Sequence, residues 1–205
     1  MAKGYNQYCP IAHALDVVGE RWSLLVVREL SYGPLRYTDL LERLHGCSTN
    51  VLASRLKELE SHGVVRREKL PPPAASTVYE LTPAGEQLRP VLTALAHWGL
   101  RTLGPPPPEV LEPGWLARAL CTAVAPVCGE VTIGFRIDGE EASVVNGASV
   151  VGVAPDADAV VSADASGLYH LFVDGDLDAV EIEGDRGLVE RLVAAAVPAA
   201  PVAAA

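Results

Sequence analysis

The stretch "GCSTNVLASRLKELESHGVV", residues 46–65, decides how the first half of the chain is read. Cys47-Ser48-Thr49 is a helix start, with Ser48 as N-cap offering its hydroxyl to free amides of the first turn. Leu52, Leu56 and Leu59 then recur on one face, and Gly63, free to adopt positive φ, closes the helix. At about 100° per residue, Asn50, Ser54, Lys57 and Ser61 point away from the leucines, with Thr49 and Ala53 on one flank and Arg55 on the other. Short hydrogen-bonding side chains near a helix N-terminus suit entry into a major groove about 12 Å wide. Taken alone, the same pattern also describes an ordinary amphipathic helix with a solvated face.

The flanking residues favour the first reading. Upstream, "RYTDLLERLHG" (36–46) predicts a second short helix with Leu40, Leu41 and Leu44 inward, at helix–turn–helix spacing. Downstream, "VVRREK" (64–69) and "TVYEL" (77–81) are alternating β-branched runs joined by a Pro-rich tip, which predicts a hairpin. Arg66, Arg67 and Lys69 place cations on its first strand. A helix–turn–helix followed by a basic hairpin is a winged helix, one element for base edges and one for phosphates. Thr82-Pro83 opens a further helix running to about Leu103, with a kink expected at Pro90. Its stripe of Leu88, Val91, Leu92, Leu95 and Trp98 serves either pairing with a second chain or packing onto residues 10–30.

These segments carry a resemblance. "CPIAHALDVVGERWSLLVVREL" (9–30), "RYTDLLERLHGCSTNVLASRLKELESHGVVRRE" (36–68) and "YELTPAGEQLRPVLTALAHWG" (79–99) resemble the HxlR family of bacterial transcription regulators. The resemblance implies a homodimeric winged-helix protein, with the quoted stretch as recognition helix and the 64–81 hairpin as wing; the expected action is on an inverted-repeat DNA operator, as a repressor rather than an activator. By position it assigns DNA contacts to Arg36, Tyr37, Thr49, Asn50, Ser54, Arg55, Lys57, Arg66 and Arg67, beside Lys69 on the same strand. It also implies that Cys9, before Pro10, serves some members as a redox-sensing thiol, while Cys47 likewise precedes a helix start.

Charge divides the chain. Residues 1–103 hold 12 Lys and Arg against 10 Asp and Glu, a net of +2, and residues 104–205 hold 4 Arg against 16 Asp and Glu, a net of −12, which together give the chain's −10. The break falls on Gly104 and the prolines 105–108, a stiff extended spacer. DNA binding depends on the field of one face, so an acidic second half does not oppose it. There is no basic start followed by an apolar stretch and no apolar run of about 18 residues, so the expectation is a cytoplasmic protein without a membrane partner. The four cysteines form no C-x-x-C pair, which argues against a zinc ribbon.

In the second half, "PGWLARALCTAVAP" (113–126) predicts a helix. Alternating segments around Ile133, Phe135 and Ile137, then "ASVV", "ASVVGVA" and "AVVSAD", predict a mostly antiparallel sheet. "ASGLYHLFVDGD" (165–176), "DAVEIEG" (178–184) and "DRGLVERLVAAA" (185–196) add a helix, a strand and a closing helix. The fold class is α+β. No catalytic constellation, metal site or cofactor loop stands out; Asp174, Asp176 and Asp178 lack the glycine and glutamate of a calcium loop. The phrases "DADAVVSADASGLYHLFVDGD" and "VEIEGDRGLVERL" resemble the sterol-carrier-protein type 2 domain. That resemblance implies helices over one face of a sheet and a hydrophobic tunnel for a lipophilic small molecule, with Trp115, Leu116, Leu120, Phe135, Leu168, Tyr169 and Phe172 as its lining unless they simply fill the core. The domain expectation is 1–103 for DNA binding and dimerisation, 104–108 as linker, 109–197 for ligand and 198–205 as a disordered tail. The expected protein is a non-enzymatic regulator that senses a hydrophobic molecule; a lipid-binding or interaction module, or a thiol switch through Cys9, is the alternative.

Overall fold

The computed structural model describes residues 4–71, 75–107, 111 and 113–196; residues 72–74 of the expected Pro-rich wing tip, Pro108 of the expected linker and the tail at 198–205 lie outside them. The chain divides into two compact units, Met1–Leu92 and Thr93–Ala205. The division falls within a helix rather than at the proline run, because Leu92 belongs to the first core while Leu100 packs against the second.

In the first unit, α1 (Pro10–Val18), α2 (Ser23–Leu30), α3 (Tyr37–Arg43) and α4 (Thr49–Ser61) precede a hairpin of β1 (Val65–Lys69) and β2 (Thr77–Leu81). Leu52, Leu56 and Leu59 of α4 meet Val26, Val27, Leu30, Leu40 and Leu44 in one apolar core. Val64 and Leu81 join the hairpin base to it. Leu35 bridges Tyr79 through both backbone hydrogen bonds, giving the hairpin a third partner. Gly63 ends α4 at φ +69°, a left-handed turn that a side chain would strain.

The helix expected from Thr82 to Leu103 is two helices. Thr82 caps α5 (Pro83–Glu86) by accepting the Gly85 amide, and the chain breaks at Gln87-Leu88 before α6 (Arg89–Leu103). Pro90 therefore sits in the first turn of a new helix, where its missing N–H costs nothing, and causes no kink.

The second unit holds α7 (Trp115–Ala123), α8 (Ala125–Cys128), β3 (Thr132–Ile137), β4 (Glu140–Val145), β5 (Ala148–Val151), β6 (Ala159–Ala163), α9 (Ala165–Asp174), β7 (Glu181–Gly184) and α10 (Arg186–Ala196). The sheet order is β5-β4-β3-β6-β7, antiparallel except for the parallel pair β3–β6. Ala142, Phe135, Val161 and Ile182 stand side by side across four strands by register. Alternation puts Ile133, Phe135 and Ile137 on that same buried face. α7 packs on β4 and β5, and α9 and α10 pack on β6. The Glu140 carboxylate accepts backbone N–H groups of Gly114 and Leu116 at 2.5 and 3.1 Å, capping α7 from the sheet. On the opposite face Val153 packs so close to Gly134 that a Cβ there would lie 2.9 Å from it. Ser143, buried nearby, donates to Gly152 O and accepts from Ala154 N, so its hydroxyl is satisfied.

Candidate nucleic-acid interface and apolar cavity

The start of α4 is built as its sequence requires. Ser48 Oγ accepts the Val51 amide, leaving Thr49 and Asn50 exposed on the first turn. Tyr37, half-buried at the start of α3, donates its hydroxyl to Thr49 O at 2.7 Å, so it tethers the two helices. Arg36 is exposed just before α3, where its backbone N–H is held by Asp39. Lys57 projects freely from the middle of α4, while Ser54 donates to Glu58 at 3.2 Å.

Arg55 corrects the sequence reading. Its side chain is only 15% exposed, and its guanidinium lies 2.8 Å from Glu58 and 3.3 Å from Glu20 of the α1–α2 connection. A helical wheel places Arg55 at the edge of the outer face; only the tertiary arrangement brings Glu20 to it. Arg55→Met is expected to cost about 1–2 kcal/mol of stability, because it leaves two carboxylates beside an uncharged side chain. The salt dependence of DNA binding should stay unchanged; a slope reduced by about one counterion would restore Arg55 as a phosphate contact.

The wing is corrected in the same way. Arg66 and Glu80 are cross-strand partners joined at 2.6 Å, with Glu68 on the same face by alternation. The Glu80 hydrogen bond pushes the Arg66 pKa up and neutralises its field. Arg67 and Lys69 lie on the other face, both exposed, with the Arg67 guanidinium 5.5 Å from the centre of the Tyr79 ring. Two cations, not three, therefore face outward from β1 together.

Cys9 occupies the N-cap position of α1 and is half-buried. Cys47 is buried, and burial pushes its thiol pKa up despite the Leu52 amide, which favours the unreactive protonated form. Asp174 is paired with His170, Asp176 accepts the Asp178 amide, and Asp178 meets Arg186, so these carboxylates serve local structure.

In the second unit an apolar cavity of about 250 Å³ lies among the last turns of α6, α7, α9 and the end of α10. Trp115, Leu120, Leu168, Tyr169 and Phe172 line it, as five of the seven expected residues. Leu116 and Phe135 do not. Leu116 is one residue out of phase with Trp115 and is fully buried, and Phe135 is buried in the middle strand of the sheet. His97, Leu100 and Leu103 also line the cavity. Their three-residue spacing along α6 is visible in sequence, but it is interleaved with the more conspicuous Val91, Leu95 and Trp98 stripe.

Comparison with known proteins bears on the first half. The HxlR-like helix-turn-helix family matches residues 17–106. The HTH-type transcriptional regulator sll1512 of Synechocystis is 43% identical over 91 residues, covering 44% of this chain and 67% of that protein. YvaP of Bacillus subtilis is 35% identical over 101 residues, covering 49% of this chain and 94% of that regulator. The reduced form of the B. subtilis regulator YodB aligns with 49% of this chain and all of its own at 32% identity and a TM-score of 0.42. Among the described residues no helix is long and apolar enough to cross a membrane. By its first half, the chain belongs to the HxlR-like helix-turn-helix family of transcriptional regulators.

Proposed function

We infer that the protein is a homodimeric repressor that reads an inverted-repeat operator with α4 and the wing, and that its second unit takes up a hydrophobic small molecule. The observation that carries the operator reading is the capped start of α4, where exposed Thr49 and Asn50 stand on an ordered first turn, with Lys57 farther along the helix. Side chains there reach base edges, while Arg67 and Lys69 suit phosphates. The dimer reading is supported by α6. Leu88 and Leu92 pack into the first core, but Val91, Leu95 and Trp98 are 44%, 45% and 73% exposed at i, i+4, i+7 spacing. An apolar stripe of that kind on a single chain favours a second copy. The ligand reading is supported by the cavity and by the sheet with helices over one face, the arrangement that the sterol-carrier resemblance implies.

A gel shift on the chain's own upstream DNA at about 150 mM salt tests the operator reading, since specific complexes persist where electrostatic ones fade. Asn50→Ala should cost about 1–3 kcal/mol on the specific site and far less on random DNA. Arg67→Ala should weaken both complexes together. Equal losses on both DNAs for Asn50→Ala would remove it from base readout.

A further inference from the structure

The second turn of α4 carries a hydrogen-bond polarity that bears on which bases it meets, and this rests on the operator reading above. Ser54 lies one turn beyond Asn50, so the two side chains share the outward face of the helix. A serine hydroxyl has one proton to give and two lone pairs to offer. A carboxylate only accepts, so the 3.2 Å contact of Ser54 Oγ with Glu58 Oε1 takes that one proton. Glu58 is itself held. Its other oxygen lies 2.8 Å from the guanidinium of Arg55, which is largely buried and also meets Glu20 at 3.3 Å. Ser54, half-buried, is thus left to meet a duplex through its lone pairs alone. The half-exposed Glu58 carboxylate beside it adds negative charge to the same spot. In the major groove, lone pairs and negative charge are answered by the exocyclic amino groups of adenine and cytosine. Guanine and thymine present only acceptors on that edge, which lone pairs repel.

We propose that Ser54, its proton held by Glu58, makes one position of each operator half-site select adenine or cytosine over guanine or thymine on the strand it faces. Ser54 contacts the amino group, and Glu58 is the positioning residue that fixes the polarity. Selection of bound duplexes from a randomised library by the full chain tests this. The wild type should enrich adenine and cytosine at that position by about five-fold, the worth of about one hydrogen bond. Ser54→Ala should level that position alone and leave the rest of the enriched site unchanged. Glu58→Ala should free the hydroxyl proton and admit guanine and thymine there, with the other positions kept. Both changes suit a helix interior, so the fold should persist. Asn50→Ala should relax a different position, which separates this proposal from the operator reading. If Asn50→Ala relaxes its position while Ser54→Ala alters none, Ser54 reads no base, and the proposal falls with the operator reading intact. A Ser54-dependent position enriched in guanine or thymine reverses the polarity and overturns the proposal. So does a preference for adenine and cytosine that survives Glu58→Ala. Enrichment of no sequence by the wild type, or of one that neither Asn50→Ala nor Ser54→Ala changes, removes α4 from base readout and takes the operator reading with it.

Discussion

Phe135→Ala should destabilise the second unit by about 3–5 kcal/mol, the usual cost of emptying a fully buried aromatic site. Phe135 is fully buried at the centre of β3, flanked in register by Ala142 and Val161, with helices above. Small neighbours cannot collapse into the space, so the cavity term adds to the lost burial. Urea unfolding followed by circular dichroism measures it, and a loss below about 1 kcal/mol would show that Phe135 faces open space rather than core. Tyr169→Phe, at a half-buried position on the cavity wall, should change stability by less than about 0.5 kcal/mol. The pair separates residues that build the sheet from residues that face a guest.

Leu95→Asp should leave each chain folded and the population monomeric. In the single chain Leu95 is 45% exposed, so a carboxylate there is solvated. At an apolar interface the same carboxylate loses its water with no partner and costs several kcal/mol per chain. Operator affinity should fall with assembly, because two half-sites read by one body become two separate events. Sedimentation of wild type and variant at micromolar concentration decides it. A wild type that sediments as a monomer, or a variant that remains dimeric, removes α6 from the interface.

Much of this was legible in sequence, for reasons that differ by element. α4 was readable because its leucine spacing, its serine cap and its terminal glycine all point one way. The hairpin was readable from alternation and β-branched residues. The roles of Arg55 and Arg66 were not, since a helical wheel or strand alternation assigns a face but not the carboxylate that another segment brings to it. Glu20 lies in a different connection, and Glu80 on a different strand. Of the seven expected lining residues, five face the cavity and two, Leu116 and Phe135, do not. Leu116 and Trp115 differ by one helical step, and apolarity alone does not say which meets a cavity and which meets a sheet. The break at Gln87-Leu88 was hidden because Pro90 offered a more conspicuous site for a bend. The parallel pairing of β3 with β6 was also beyond reach, since strand patterns give faces but not neighbours.

The tether from Tyr37 to Thr49 O and the serine cap at Ser48 have a thermodynamic consequence. Both hold the first turn of α4 in shape before any duplex arrives. The ordering entropy of that turn is therefore charged to folding and not to association. Calorimetry of the operator complex should then show a heat-capacity decrement that matches the surface covered at the contact, without the excess that marks a segment folding as it docks.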